Sequence, residues 1–364
     1  MTVTFAQKLA RMPHYEAGLA HDAARERFGV EDVVKLASNE SPWGPHPAVI
    51  DAVAQAAAGA NRYPEQFSPT LKLRIAERHE TEPGRVAVGN GSCELLLAAC
   101  EALCEPGAEL VFAWPSFSMY PHLAALSGAR EIRVPLDEDG THDLEAMLDE
   151  VTAATQLLLV CNPNNPTATH IPAAEVAAFV ERVPQHVTVI LDEAYAEFQL
   201  HDDPDSGVDL TRRFPNLVVL RTFSKVYGLA GLRCGYAIGS ARFRAAVDAV
   251  RQPFSVNQLA QVAAAEALRH RDDVEDRVEQ TVAARVRVES GLEELGMQTT
   301  ESHANFSWVA LGEHDEADVV RRLGQAGVIV RAGEGLGGPG HIRVSYGTAE
   351  ENERFLRALA AALG

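Results

Sequence analysis

The stretch Arg221-Thr-Phe-Ser-Lys-Val-Tyr-Gly-Leu-Ala-Gly-Leu-Arg-Cys-Gly235 places a lysine just after an apolar run and ahead of closely spaced glycines. The apolar run, residues 217–220, predicts a buried strand of a parallel sheet. Open α/β sheets carry their sites at the carboxyl ends of such strands. A solvated loop lysine is the plain alternative, because lysines are rarely buried. The surroundings of Lys225 favour a functional role.

A lysine amine is nucleophilic only in its neutral form, which requires burial or a nearby cation to lower its pKa. Arg233, eight residues after Lys225, is a candidate for that cation. The hydroxyl groups of Thr222 and Ser224 are suited to hold a phosphate beside the amine. An amine that forms a Schiff base next to a phosphate suggests pyridoxal phosphate as the cofactor.

Pyridoxal phosphate also requires a carboxylate for its ring nitrogen, and a second predicted strand supplies one. This strand, residues 187–191, ends at Asp192. Farther upstream, the turn from Gly89 to Ser92 connects a predicted strand to a predicted helix, where free N–H groups favour a phosphate. A tight turn without a ligand is the alternative for this motif. It lacks the third glycine of a dinucleotide-binding fingerprint.

Strand and helix patterns alternate from residue 85 to residue 183, which argues for a doubly wound, mainly parallel sheet. The predicted strands are residues 85–88, 109–113, 131–134 and 156–160, and the predicted helices are residues 92–103, 117–126, 144–151 and 173–183. After Gly239 the pattern changes to long helices over residues 256–295, followed by short strands mixed with helices. The sequence therefore predicts a large α/β domain and a smaller α+β domain.

Several motifs in this order resemble the signature of fold-type I pyridoxal phosphate-dependent aminotransferases, and within them the histidinol-phosphate aminotransferase family. These motifs are Lys35-Leu-Ala-Ser-Asn-Glu40, Asn61-Arg-Tyr-Pro64, Asn162-Pro-Asn-Asn-Pro-Thr167, Asp192-Glu-Ala-Tyr195, Ser224-Lys225 with Arg233, and Arg343-Val-Ser-Tyr-Gly347. The resemblance extends from about Lys35 to the last helix. The segments 112–117, 161–167 and 218–225 are similar to the aromatic amino acid (phenylalanine) aminotransferase branch.

The resemblance implies an N-terminal arm of residues 1–45 that joins the small domain, a large cofactor domain of residues 46–253 and a small domain of residues 254–364. It also implies a homodimer with active sites at the subunit interface, because Tyr63 would reach the cofactor phosphate of the other subunit. The expected small-molecule partners are an amino donor and a 2-oxo acid.

Roles for individual residues follow from the same resemblance. The catalytic residues would be Lys225, Asp192 and Tyr195. The residues that contact the cofactor would be Lys225, Gly91, Ser92, Cys93, Phe117, Asn165, Asp192, Tyr195, Thr222, Ser224, Arg233 and Tyr63. The residues that contact the substrate would be Asn39, Asn165, Arg331, Arg343 and Tyr15. Phe117 stands where a tyrosine is common, so a stacking role survives without a phenol hydrogen bond.

The chain has 364 residues, with 32 basic and 51 acidic side chains and a formal charge of −19. This charge disfavours nucleic acids and anionic membranes as partners. No apolar run has the length of a signal peptide core or a membrane span, so the expected location is the cytoplasm. The five cysteines form no CxxC pair, so no metal site is expected.

The motifs leave the substrate open. An aromatic amino acid (phenylalanine or tyrosine) with 2-oxoglutarate is the first hypothesis, and histidinol phosphate is the second, because Arg343 suits either a carboxylate or a phosphate. A decarboxylase with the same cofactor is a third hypothesis. A ligand-sensing regulator without enzyme activity is a fourth, disfavoured by the absence of a basic DNA-binding segment.

Overall fold

Alternating strands and helices form most of the computed structural model, which describes residues 4–13 and 18–364. The strands are β1 (Val34–Lys35), β2 (Val86–Gly89), β3 (Glu109–Trp114), β4 (Arg130–Pro135), β5 (Thr155–Cys161), β6 (Thr188–Asp192), β7 (Leu217–Thr222), β8 (Gly235–Ile238), β9 (Gln298–Thr299), β10 (Phe306–Ala310), β11 (Val328–Ile329), β12 (Arg331–Ala332) and β13 (His341–Ser345). The α-helices are α1 (His21–Phe28), α2 (Pro47–Ala57), α3 (Pro69–Arg78), α4 (Ser92–Leu103), α5 (Met119–Ser127), α6 (Leu144–Asp149), α7 (Ala173–Arg182), α8 (Ser206–Arg213), α9 (Ala241–Val250), α10 (Gln258–Ala267), α11 (Arg271–Glu294), α12 (Glu316–Gln325) and α13 (Ala349–Leu363).

Within the described residues, seven strands form the large sheet, in the order β2-β8-β7-β6-β5-β3-β4. Strand β8 runs antiparallel to both of its neighbours, and all the other pairs are parallel. The predicted α/β fold with a mainly parallel sheet is confirmed. The carboxyl ends of β5, β6 and β7 meet at one edge, where the sequence predicts the site.

Apolar side chains fill both faces of this sheet, which explains why its strands are continuous apolar runs. In β5, Leu158 and Val160 point into a core shared with α2, α3, α6, α7, α8 and α10. Their neighbours Leu157 and Leu159 point into the opposite core, shared with α4, α5 and α9. Side chains alternate across a strand, so one apolar segment supplies both cores.

The smaller domain is built on an antiparallel sheet with the order β12-β13-β10-β9. Side chains of β10 and β13 pack with α11, α12 and α13 in a separate core. Strand β1 of the N-terminal arm pairs in parallel with β11, and Val34 and Leu36 of the arm enter that same core. Among the described residues, no helix is both long enough and apolar enough to cross a membrane.

Helix α10 packs against the large domain, although it lies after the predicted boundary at residue 253. Ala260, Ala263 and Ala264 of this helix are buried in the core that α2 and α3 share with the large sheet. The next helix, α11, contributes Val288 and Leu292 to the core of the small domain. We therefore propose that the large domain extends to about residue 270, where α11 begins.

Candidate active site

The site lies at the carboxyl ends of β6 and β7. Asp192 is the last residue of β6, and its Cα is paired with Cys161 in β5 and Leu220 in β7. Lys225 follows β7 after a short turn, in which the Ser224 amide donates to the Thr222 hydroxyl oxygen at 3.1 Å. Parallel strands that end at one edge thus bring a lysine and a carboxylate, distant in sequence, into one cleft.

Asp192 is a buried carboxylate in which one of the two oxygens accepts a hydrogen bond. Its side chain is 2% exposed, and its Oδ2 accepts a hydrogen bond from the Tyr120 hydroxyl at 3.1 Å. Its Oδ1 is buried and has no hydrogen-bond partner among residues 4–13 and 18–364. Burial raises the pKa of Asp192 to about 6, although the Tyr120 hydrogen bond opposes that rise. An unused buried carboxylate oxygen is rare, and it fits the protonated ring nitrogen of a heteroaromatic cofactor.

The Lys225 amine lies in the cleft and contacts the N-terminal arm. Its Nζ donates to the backbone carbonyl of Asn39 at 3.1 Å and to that of Ser38 at 3.3 Å. Burial lowers its pKa to about 8, and the positive charge of Arg343 lowers it further than that of Arg233. The sequence predicted Arg233 as the neighbouring cation, whereas Arg343 contributes more. The amine is therefore poised to lose its proton near neutral pH.

An anion-binding cup lies beside Lys225. The Thr222 hydroxyl donates to Ser224 Oγ at 2.9 Å, and Arg233 Nη1 lies 3.4 Å from that same oxygen. Gly91 has a φ of +77°, and a Cβ there would lie 2.6 Å from Arg233 Nη2. Ser92 begins helix α4, so its N–H group is free of an intrahelical partner. Hydroxyls, a guanidinium and a helix N-terminus together fit a phosphate group.

Gly235 keeps this cup open from the side of β8. A Cβ at Gly235 would lie 2.6 Å from the backbone nitrogen of Ser92 and 2.9 Å from the carbonyl oxygen of Arg221. Arg233 itself adopts a φ of +60°, which is costly for a residue with a side chain. The chain thus bends sharply before β8, and the Arg233 guanidinium is turned back toward Ser224.

Asn165 and Arg343 join the two domains at the cleft. Arg343 Nη1 donates to Asn165 Oδ1 at 2.5 Å, and its Nη2 donates to the Ala37 carbonyl at 2.8 Å. Ala168 follows the asparagine and proline motif with a φ of +63°, the left-handed conformation that glycine favours.

Asn39 ties the arm to the same cleft. Its Nδ2 donates to the Tyr195 hydroxyl oxygen at 3.0 Å, and its Oδ1 accepts from the Ser345 hydroxyl at 3.0 Å. Asn39 is 1% exposed and has a φ of +53°. Burial raises the pKa of Tyr195, although the Arg343 charge opposes this rise. The Tyr195 phenol therefore stays protonated at neutral pH.

Arg331 lies directly opposite Arg343 in the pairing of β12 with β13. Directly opposed residues of an antiparallel pair project from the same face of the sheet. Both arginines are buried, with 8% and 6% of their surface exposed. This face of the small domain therefore presents two guanidinium groups, which suits an anionic substrate.

The other predicted residues differ in their placement. Phe117 is half-buried, and its ring meets the Tyr120 ring edge-on at 5.7 Å. Cys93 is half-buried, and burial together with the Asp192 charge raises its pKa. Tyr63 is 84% exposed and stacks on Phe254 with ring centroids 5.0 Å apart, so it projects away from the chain. Tyr15 lies outside the described residues.

Tyr120 and Ser345 were not predicted as site residues, although both carried a signal. Tyr120 lies three residues after Phe117 in the predicted helix of residues 117–126, and residues at this spacing share one face of a helix. Ser345 lies two residues after Arg343 in β13, and such neighbours share a face of the sheet. Glu193 of the Asp192–Tyr195 motif instead faces away from the cleft, and it accepts hydrogen bonds from Arg221 at 2.7 and 2.9 Å.

A doubly wound sheet with a lysine, a carboxylate and an anion-binding cup at its edge defines the class of fold-type I transferases. The family model for aminotransferase class I and II matches residues 31–359 of the chain. The chain therefore belongs to the class I and II aminotransferases, and the enzyme is a transaminase.

Relatives with two different names resemble the chain. An aromatic amino acid aminotransferase from Thermobifida fusca is 48% identical over 327 residues, which cover 88% of each chain. A histidinol-phosphate aminotransferase from Geobacillus thermodenitrificans is 39% identical over 354 residues, which cover 97% of this chain and 96% of that protein. The crystal structure of a histidinol-phosphate aminotransferase from Sinorhizobium meliloti in complex with pyridoxal-5'-phosphate matches with a TM-score of 0.89 and 28% identity, covering 100% of this chain and 98% of that one.

Proposed function

We propose that this transaminase uses pyridoxal phosphate to move an amino group between an aromatic amino acid, phenylalanine or tyrosine, and 2-oxoglutarate. The observation that carries the cofactor proposal is the unused, buried Oδ1 of Asp192 in the same cleft as the Lys225 amine. The cofactor supplies an electron sink for the bond that breaks at the substrate Cα.

The residues of the cleft divide the work of holding this cofactor. Asp192 would bind the ring nitrogen, and its charge would keep that nitrogen protonated. Asn165 and Tyr195 would bind the phenolic oxygen, and Phe117 would pack against the ring, near Cys93 at the start of α4. The residues that would hold the phosphate are Gly91, Ser92, Thr222, Ser224 and Arg233.

Lys225 would act as the attachment point of the cofactor and as the base that moves a proton at its Nζ. A general base works best when its pKa lies near the working pH. With a pKa of about 8, the amine is partly neutral at pH 7 to 8. The carbonyl groups of Ser38 and Asn39 orient Nζ at the point where the arm closes the cleft.

Substrate binding would use the two guanidinium groups of the small domain. Arg343 would bind the α-carboxylate through paired hydrogen bonds, with Asn165 and Asn39 beside it. Arg331 would meet a second anionic group, such as the distal carboxylate of 2-oxoglutarate. The same pair also suits the phosphate ester of histidinol phosphate, which keeps that compound as the second candidate. The higher identity to the aromatic amino acid aminotransferase supports the first.

We also propose a homodimer in which Tyr63 reaches the cofactor phosphate of the partner subunit. The support is the exposed stack of Tyr63 on Phe254, since a pair of aromatic rings that projects into solvent is suited to contact another chain. A location in the cytoplasm stays a prediction.

The deciding experiment measures kcat/KM for phenylalanine and for histidinol phosphate, with 2-oxoglutarate, on one preparation of the holoenzyme. We expect phenylalanine to be preferred. A hundredfold preference for histidinol phosphate, about 2.7 kcal/mol in transition-state binding, would overturn the aromatic assignment. Release of carbon dioxide without transamination would indicate a decarboxylase. A Lys225→Ala protein that still bound the cofactor covalently and turned over would contradict the role of Lys225.

A further inference from the structure

Three potential metal ligands meet at the junction of the two domains, away from the cleft just described. They are His201, Glu301 and His303, and their ligand atoms all lie within 4.8 Å of one another. His303 Nε2 is 3.5 Å from a carboxylate oxygen of Glu301. We propose that these three residues bind one divalent transition-metal ion, with Zn²⁺ as the best fit.

The three ligands come from two different segments, each held in place by its own hydrogen bonds. His201 lies in the loop that follows β6, where its backbone nitrogen donates to Gln199 Oε1 at 2.8 Å. Glu301 and His303 lie between β9 and β10, where the backbone nitrogen of His303 donates to the Ala168 carbonyl at 2.8 Å. A hydrogen bond thus holds the backbone on each of the two sides of the site.

A further histidine supports a ligand site at this place. The His170 ring centroid lies 5.6 Å from that of His303 and 6.0 Å from that of His201. Two imidazoles on one tetrahedral zinc have centroids about 5 Å apart, given Zn–N bonds of about 2.0 Å. The two proposed ligands His201 and His303 have ring centroids 5.0 Å apart. The side chain of His170 is 6% exposed, and across the described residues its Nδ1 has no hydrogen-bond partner. Its Nε2 is held by Asp202 at 3.1 Å, the carboxylate–histidine pairing common around metals.

The chemistry of the ligands selects the metal. Two imidazole nitrogens and one carboxylate oxygen form a donor set typical of zinc sites that keep a fourth position for water. Mg²⁺ and Ca²⁺ prefer shells made of oxygen and should bind poorly. A cavity of about 590 Å³, lined in part by His170, Glu301 and His303, opens beside the cluster and gives an ion access from solvent.

A bound metal would link the large domain, through His201, to the small domain, through Glu301 and His303. The segment after His303 continues into the active site, because Asn305 donates to the Asn39 carbonyl at 3.2 Å and Phe306 packs edge-on against Tyr195 at 5.1 Å. The metal would therefore stabilise the contact between the domains on the side of the substrate cleft. Any ligand that binds only the folded protein raises its unfolding temperature.

The test is a Zn²⁺ titration of the tag-free holoenzyme against a chromophoric chelator, together with thermal unfolding. We expect one Zn²⁺ per chain and a rise in Tm of about 2 to 5 °C at a hundredfold excess over Kd. Mg²⁺ at the same concentration should leave Tm unchanged. His201→Ala and Glu301→Gln alter exposed side chains, and each should weaken zinc binding at least tenfold.

The matched control is His186→Ala, because His186 is also exposed but lies outside the cluster. This variant should bind zinc as the unmodified enzyme does. His303→Ala should abolish the stoichiometric site, and circular dichroism checks that it folds. The proposal is overturned if the unmodified enzyme binds no zinc, or if His201→Ala and Glu301→Gln retain its affinity.

Discussion

The Tyr120 hydroxyl donates to Asp192 Oδ2 at 3.1 Å and so occupies one carboxylate oxygen while the other remains available to a ligand. Tyr120 is fully buried and stands on α5, whereas Asp192 ends β6. This hydrogen bond stabilises the charged carboxylate against the cost of burial. Tyr120 thus helps to keep Asp192 ionised before any cofactor binds.

Replacement of Tyr120 by phenylalanine should therefore raise the pKa of Asp192 above about 6. A protonated Asp192 is a poorer partner for a protonated ring nitrogen, so affinity for pyridoxal phosphate should fall as the pH decreases. In the variant this fall should begin at a higher pH than in the unmodified enzyme. Loss of one hydrogen bond to a charged group should raise the pH at which half of the cofactor affinity is lost, the midpoint, by about one unit. The measurement is the Kd of the cofactor between pH 5 and pH 8.

Tyr346→Phe is the control for that experiment, since it also removes a buried hydroxyl, one that lies 2.8 Å from Ser307 Oγ in the small domain. Its midpoint should match that of the unmodified enzyme. An unchanged midpoint in Tyr120→Phe would contradict the proposed effect on Asp192.

The Lys225 amine should react with aldehydes near neutral pH. Its pKa is lowered to about 8, first by burial and then by the Arg343 charge. The neutral, reactive fraction therefore falls as the pH drops below 8 and reaches its plateau above 9. The rate of imine formation between the cofactor-free protein and pyridoxal should be half-maximal near pH 8, compared with about 10.4 for a free lysine side chain.

Arg343→Leu removes a positive charge that is, after burial, the second cause of the lowered Lys225 pKa. The midpoint of the rate profile should then move to higher pH, by more than in Arg233→Leu. Equal midpoints in the two variants would show that Arg343 has no special influence on the amine.

The sequence alone was sufficient to predict the positions of site residues that directly follow a strand. Lys225 and Asp192 each follow an apolar strand, and parallel strands that end at one edge must bring such residues together. Arg343 was named from its motif, yet its effect on the Lys225 pKa was missed. That effect depends on how the small domain packs over the large one, which no local pattern encodes.

Helix α10 shows the same limit for the fold. Its alanine-rich face is apolar, and periodicity predicts that such a face is buried, but not against which neighbour. Ala260 and Ala264 could have packed in either domain, and the structure places them against α2 and α3. The histidines at positions 201 and 303 likewise lie about 100 residues apart in a sequence that offers no metal-binding spacing between them.

Gly91→Ala should damage the anion-binding cup. The added methyl group would lie 2.6 Å from Arg233 Nη2. The backbone at this position, with φ 77° and ψ 166°, lies in a region that essentially only glycine adopts, so alanine would be strained by about 1 to 3 kcal/mol. Displacement of the guanidinium should weaken cofactor binding at least tenfold. Gly84→Ala is the control, because a Cβ there would meet nothing within 4 Å. If both variants bind pyridoxal phosphate with the same Kd, Gly91 is not required for the cup.

Asp205 should contribute stability that disappears in acid. Its carboxylate lies 2.6 Å from Arg78 Nη1 and 2.9 Å from Arg221 Nη1. Burial raises the pKa of Asp205, but the hydrogen bond with His79 and the Arg221 charge outweigh burial and hold the pKa below its usual range.

Asp205→Asn should lower the free energy of unfolding at pH 7 by about 2 to 3 kcal/mol, since it leaves the buried Arg221 and the half-buried Arg78 under-compensated. A carboxyl group with a depressed folded pKa stabilises the fold fully above the unfolded value of about 3.9 and loses this contribution gradually as the pH falls toward the folded pKa, so this deficit should begin to shrink below pH 4. Urea unfolding at pH 7 and pH 3.5 tests this, and Asp209→Asn, at an exposed pair with Arg212, should change little at either pH. A deficit in Asp205→Asn that is equal at both pH values would contradict the ionic origin of the effect.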